Sequence, residues 1–193
     1  MTAVAPWETP PSGPAAVVAA GLAARIPALE TERLRLRAPR IEAFDAYARI
    51  VAGPEGAHVG GPFDREEAWL DFAQMAAGWL LRGTGLWSVE RRADGALIGF
   101  LPLNHEFGDP ELEIGWFLVA DARGQGYAAE AAEAARRFAF AELGASTLVS
   151  YIDRTNDRSL RLAERLGARA EPLPHPGDPE VLVLRHPAPE IRA

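Results

Sequence analysis

Leu112-Glu113-Ile114-Gly115-Trp116-Phe117-Leu118-Val119, then Ala120-Asp121-Ala122, then Arg123-Gly124-Gln125-Gly126-Tyr127-Ala128: the fold turns on how this stretch is read. Its first eight residues alternate as a strand does. Leu112, Ile114, Trp116 and Leu118 share one face, and Glu113, Gly115, Phe117 and Val119 the other. An alanine-rich helix is predicted from about Tyr127 to Leu143, with Gly144 as its stop. The loop between them is rich in glycine, which lets backbone N–H groups and the positive end of a helix dipole approach a phosphate.

Two patterns compete for that loop. One reads Gln or Arg, two residues, Gly, one residue, then Gly or Ala; Arg123, Gly126 and Ala128 satisfy it. The other is the dinucleotide-binding glycine pattern, satisfied by Gly124, Gly126 and Ala129, with Asp153 at a plausible distance for a ribose ligand. Neither string decides alone, since the first arises by chance roughly 0.6 times in a chain of this composition. Context argues against a dinucleotide fold. Asp121, Ala122 and Arg123 intervene where that fold turns at once, and too little chain follows Asp153 for a second half-sheet.

Working outward, strand Thr147 to Ile152, helix Asn156 to Leu166 and short strands at 168–171 and 181–185 follow the helix. Upstream, Asp94-Gly95 is a strong hairpin signal between strands Leu86 to Arg91 and Leu97 to Leu103. Asp64 stands three residues before Glu67 like a capping box, opening a helix with Trp69, Phe72, Ala76, Trp79 and Leu80 on one side. Ile41 to Val51 has helical spacing, and Thr31 to Arg37 alternates as a half-buried strand. Residues 1–29, broken by Pro6, Pro10, Pro11 and Pro14, are expected to form a mobile extension or a short helix. A core domain over 30–186 and a tail over 187–193 complete the division. The order of elements describes one α/β (α+β) domain, a mixed sheet covered by helices.

Composition narrows the chemistry. The 193 residues include no cysteine and no lysine, and the net charge is −7. Thiol nucleophiles, thiolate metal sites, Schiff bases and P-loop phosphate binding are therefore excluded. An acidic chain is a poor nucleic-acid or anionic-membrane binder and suits cationic, amine-bearing substrates. No apolar run near the N-terminus is long enough to span a bilayer, and the charge pattern of a signal peptide is missing, so the cytoplasm is expected. His58, His105, His175 and His186 are scattered without ligand spacing, so no metal is expected.

Four blocks in order resemble the GCN5-related N-acetyltransferases, and more narrowly the RimJ/RimL-like branch of ribosomal-protein N-terminal acetyltransferases. They are Thr31-Glu32-Arg33-Leu34-Arg35-Leu36-Arg37; the strand 112–118; Arg123 to Ala128 with Glu130 downstream; and Asn156, Ser159 and Leu166-Gly167-Ala168. The resemblance implies a sheet of about seven strands with about four helices. It implies acetyl-coenzyme A as donor, held at its pyrophosphate by Arg123, Gly124, Gln125, Gly126, Tyr127 and Ala128. Its pantetheine arm would pair with backbone near Leu118 and Val119 and bond Asn156, which also suits a helix cap.

By the same resemblance the Ser159 hydroxyl would steady the leaving thiolate. Many relatives carry a tyrosine acid four residues further on, where this chain has Ala163. Glu113 is the favoured general base, with His105 and Glu106 next; its bland alternative is a solvent-facing or ion-paired glutamate. Glu106, Asp109, Glu111 and Glu113 together form an acidic rim able to recruit a cation. The expected reaction is acetyl transfer to a primary amine, a protein N-terminus or a small molecule, by direct attack in a ternary complex. The expected protein is a monomer or homodimer. A noncatalytic acyl-coenzyme A-binding domain is the alternative, and a dinucleotide-binding protein a remote one.

Overall fold

The Asp64 side chain accepts the Glu67 N–H at 2.9 Å while the Glu67 carboxylate accepts the Asp64 N–H at 2.8 Å, so the expected capping box forms. It opens α3 (Arg65–Arg82) in the computed structural model, which describes residues 5–189. The ends of the expected extension and tail, 1–4 and 190–193, lie outside the described residues. Ala68, Phe72, Met75 and Trp79 are the buried stripe of α3, at a helical spacing that leaves Leu80 80% exposed, contrary to expectation.

Before α3 come α1 (Gly13–Ala23), β1 (Leu29–Glu30), β2 (Leu34–Arg37) and α2 (Phe44–Ala52). None of the residues of α1 is buried. The segment carrying it is tied at both ends, by Glu8 to Arg65 at 2.6 and 2.7 Å and by the Pro27 carbonyl to the Trp87 indole at 2.7 Å. After α3 come β3 (Gly85–Arg91), β4 (Leu97–Asn104), β5 (Glu113–Ile114), β6 (Phe117–Leu118), α4 (Tyr127–Ala141), β7 (Val149–Asp153), α5 (Asp157–Arg165), β8 (Arg169–Ala170) and β9 (Val181–Arg185).

The strands form one sheet in the order β1-β2-β3-β4-β5-β7-β9-β8, with β6 also on β4. Among the described residues it has nine strands rather than about seven. One of the two extra strands is β1, which hairpins onto β2, and the other comes from division of the expected strand 112–119. That division has a local cause. Leu103 faces Ile114 and Gly99 faces Leu118, so the register is the same on both sides of the break. Pro102 sits opposite the gap; it accepts from the Gly115 N–H at 3.1 Å but has no N–H to return.

Two apolar layers hold the sheet. On one, α4 packs Tyr127, Ala131, Ala132, Ala135 and Ala139 with Trp87, Leu101 and Ile114. On the other, α2 and α3 bring Phe44, Tyr47 and Phe72 against Phe100 and Phe117. Tyr47 is edge-on to Phe100 at 5.2 Å and to Phe117 at 5.6 Å, the preferred aromatic geometry. From α3, Phe72 stands edge-on to Phe100 of β4 at 6.4 Å, so the cap that opens α3 supports this layer. Asp64→Ala is expected to lower unfolding free energy by about 0.5–2 kcal/mol, read from urea denaturation.

Candidate active site

Alternation along the 113–118 strand decides which backbone groups are free. Val119 donates to the Ile98 carbonyl at 3.0 Å and Gly115 to the Pro102 carbonyl, so these odd-numbered residues direct their N–H groups to β4. Leu112, Ile114, Trp116 and Leu118 therefore point theirs the other way, toward β7. The Leu112 carbonyl accepts the Val149 N–H at 3.0 Å, and the Ile114 carbonyl accepts the Ser150 hydroxyl at 2.6 Å. Beyond Ile114 β7 diverges, and its parallel pairing with β5 registers only Glu113 opposite Val149. The result is a cleft of about 610 Å³ along an open strand edge carrying Trp116 and Leu118.

Ser150 has a second partner, His186 Nε2 at 3.0 Å. Since the hydroxyl donates to Ile114, Nε2 carries the hydrogen and donates to Ser150. The imidazole is buried, and desolvation with nearby Arg136 lowers its pKa to about 4. It stays neutral and braces the point where the two strands part.

At one end of the cleft lie Arg123, Gly124, Gly126, Tyr127 and Ala128. Gly124 and Gly126 have φ of +73° and +82°, values that L side chains rarely adopt. Among the described residues no backbone carbonyl accepts the N–H of Gly124, Gln125 or Gly126. The first N–H groups of α4 lack intrahelical acceptors as well. A Cβ added at Gly124 would meet nothing within 4 Å. This is an anion-binding concavity with space in front of it. Arg123 anchors it by donating from Nε to the Leu118 carbonyl at 3.0 Å. Arg158 and Arg165 from α5 also line the cleft.

Asn156 caps α5, its side chain accepting the Ser159 N–H at 3.1 Å, and both residues line the cleft. Ala163 is fully buried with Ile152 and Leu184, so the tyrosine position of the relatives is a core position here.

The opposite end is acidic. Glu106, Asp109 and Glu113 line the cleft, and Asp71 of α3, held by the Tyr47 hydroxyl, lies close enough to act on Glu106. Burial first, then repulsion from Glu106 and Asp109, raises the Glu113 pKa to about 8, against one opposing hydrogen bond from the Tyr151 N–H at 3.3 Å. Glu106 is raised by burial and by Asp71 and Asp109. A carboxyl group with a pKa near 8 is a base matched to an amine at neutral pH.

Several expected site residues stand elsewhere. Val119 and Gln125 do not line the cleft: Val119 is committed to β4, and the Gln125 amide turns to the Asp121 carbonyl at 2.8 Å. His105 does not line it either. Glu111 leaves the acidic rim to pair with Arg185 at 2.7 Å. Conversely, Asp71, Tyr151, Arg158 and Arg165 went unnoticed in the sequence, and His175 was weighed there only as a metal ligand. They come from α3, β7, α5 and the β8–β9 connection, and no motif joins them.

Comparison with known proteins agrees with this geometry. The family model described as an acetyltransferase (GNAT) domain matches residues 33–169. An acetyltransferase structure from Agrobacterium tumefaciens superposes with a TM-score of 0.80 at 42% identity, covering 84% of this chain and 95% of that one. A structure of the ribosomal-protein acetyltransferase RimL in complex with coenzyme A has a TM-score of 0.67 at 16% identity, covering 84% and 98%, which shows a shared fold. Among curated proteins, the uncharacterized N-acetyltransferase YnaD of Bacillus subtilis is 31% identical over 80 residues, 42% of this chain and 47% of that protein. The matched region thus spans about half the length of the curated relatives. With the split sheet, the glycine loop and the family match in agreement, the chain belongs to the GNAT acetyltransferase family.

Proposed function

We propose that this protein transfers the acetyl group of acetyl-coenzyme A to a primary amine that arrives as a cation. The observation that carries the reading is the make-up of one cleft: the glycine loop follows the end of the open strand, and Glu106 and Asp109 gather about Glu113 at its start. The residues present suit coenzyme A. Gly124, Gly126 and the first turn of α4 would hold its diphosphate, and the open edge at Trp116 and Leu118 would pair with its amides. When bound, acetyl-coenzyme A supplies the activated acyl group; the chain's own residues do the rest.

Leu118 N–H, directed away from β4, would donate to the acyl oxygen as negative charge develops there. Glu106, Asp109 and Glu113 draw in the ammonium group, whose charge favours ionised Glu113. Glu113, directly or through one water, then takes the amine's proton. Ser159, at the start of α5, donates to the departing thiolate. With no cysteine in the chain, attack is direct within a ternary complex, and proximity supplies much of the acceleration. A protein N-terminus and a small-molecule amine both satisfy this chemistry; the RimL likeness favours the first. Among the described residues no group of three or more His, Asp or Glu could hold a metal, and no helix is long and apolar enough to cross a membrane.

Acetyl-coenzyme A is expected to raise the melting temperature and NAD to leave it unchanged, since only a ligand of the native state stabilises it. The reverse ranking in a thermal-shift assay overturns the reading. Gly126→Val should stay folded but weaken coenzyme A binding roughly tenfold or more, because a side chain there is strained at φ +82° and meets Arg33 Nη2 at 3.4 Å. Isothermal titration reads that loss.

The pH dependence tests Glu113. As a base it works only when ionised, so kcat/KM should rise through about pH 8, the raised pKa of Glu113. Glu113→Gln should lower turnover roughly 10²–10⁴-fold, flatten that limb and leave coenzyme A affinity unchanged. Stability moves with the opposite sign. A pKa higher in the folded state gives stability that is full below the unfolded value of 4.5 and is lost as pH rises through about 8. Relative to wild type, Glu113→Gln should therefore gain stability between about pH 5 and about pH 9, measured by urea unfolding.

A further inference from the structure

The glycine loop is held from behind by a part of the chain far from it in sequence. Arg33, just before β2, sends its guanidinium to the first turn of α4. Its Nε donates to Glu130 Oε2 at 2.6 Å, Nη2 lies 2.6 Å from the same oxygen, and Nη1 donates to the Gln125 carbonyl at 3.0 Å. The same guanidinium lies over the Tyr127 ring at 4.6 Å. Glu130 answers with its other oxygen, which accepts the Arg33 N–H at 2.9 Å and the Thr31 hydroxyl at 2.5 Å. Arg33 and Thr31 do not line the cleft, so they would hold the loop without touching what lies in it.

Resting on the coenzyme A reading above, we propose that Arg33 and Glu130 are positioning residues that preset the loop for the cofactor's diphosphate. Two physical needs converge on them. A loop with two left-handed glycines has many conformations in reach, and fixing the Gln125 carbonyl on the far side keeps the neighbouring N–H groups turned to the cleft. An apparent dissociation constant rises in inverse proportion to the fraction of molecules holding the competent conformation.

The second need is electrostatic. Glu130 places a carboxylate in the first turn of the helix that must accept a polyanion, and uncompensated it would oppose that ligand. Arg33 neutralises it at contact distance. Loss of Arg33 therefore does two kinds of harm: it frees the loop and uncovers a negative charge. A lysine would restore the charge but could not make the fork to Glu130 and the bond to Gln125 together.

The test is titration of coenzyme A into the full chain as wild type, Arg33→Ala, Arg33→Lys and Arg33→Ala/Glu130→Gln, with melting temperatures and steady-state kinetics. Arg33→Ala should raise the dissociation constant and the KM for acetyl-coenzyme A roughly tenfold, with kcat at saturation and acceptor KM within about twofold of wild type. Arg33→Lys should recover only part of the loss. Arg33→Ala/Glu130→Gln should bind more tightly than Arg33→Ala alone, because the uncovered charge is gone; a merely structural ion pair predicts no such rescue. Unchanged affinity in Arg33→Ala overturns the proposal, as does a double variant no better than the single. If Arg33→Ala does not fold, Arg33→Lys must still show raised KM at unchanged kcat, or the proposal fails. Wild type that binds no coenzyme A overturns the underlying reading and this proposal with it, an outcome distinct from wild-type binding that Arg33 does not affect.

Discussion

One backbone fact organises the molecule: the 113–118 strand can satisfy only every second residue on β4, and β7 leaves before the others are satisfied. Unpaired peptide groups beside an apolar core are costly, so the exposed edge needs water or a ligand with amides of its own. Everything around it maintains that opening. The Ser150 hydroxyl, oriented by His186, closes the last bond before the gap. The Arg123 side chain takes the Leu118 carbonyl at the far end, leaving the Trp116 and Leu118 amides between them.

The cleft's polarity follows from which elements end there. The helix N-termini of α4 and α5 point their positive ends at one half. The β4–β5 connection and α3 deliver the carboxylates to the other. Burial and the charges of neighbouring acids raise Glu106 and Glu113, and among the described residues no arginine pairs with either. Each of the neighbouring acids that serves structure has a cation: Glu111 has Arg185, Glu90 has Arg37 and Glu130 has Arg33. Partnered acids brace the fold, whereas Glu106 and Glu113 lack such a partner among the described residues, and the proposed recruitment of an ammonium group rests on that difference.

Much of the fold was legible in the sequence where a local rule sufficed. The Asp94-Gly95 turn, the Asp64–Glu67 box and the Asn156 cap are short-range chemistry, and all three stand as the residues suggested. Leu80 misled because one helical position moves a side chain off the buried stripe, and apolar character alone does not register that rotation. The break at Gly115 was hidden because its cause, Pro102, belongs to the neighbouring strand. Glu111 was grouped with Glu106, Asp109 and Glu113 by nearness in the chain, yet Arg185, 74 positions away, claims it.

The sequence by itself determined the element types, the single α/β domain, the glycine loop at a helix N-terminus and the exclusion of cysteine and lysine chemistry. These depend on residue type and spacing within about one turn or one hairpin. Only the tertiary structure decided which acids share a cavity, which strand edge stays open and that Arg33 holds the loop nearly a hundred residues downstream. The physical reason is that pKa, hydrogen-bond satisfaction and charge neutralisation depend on distances through space. Those distances are set by how the sheet packs its helices, and no window of sequence contains them.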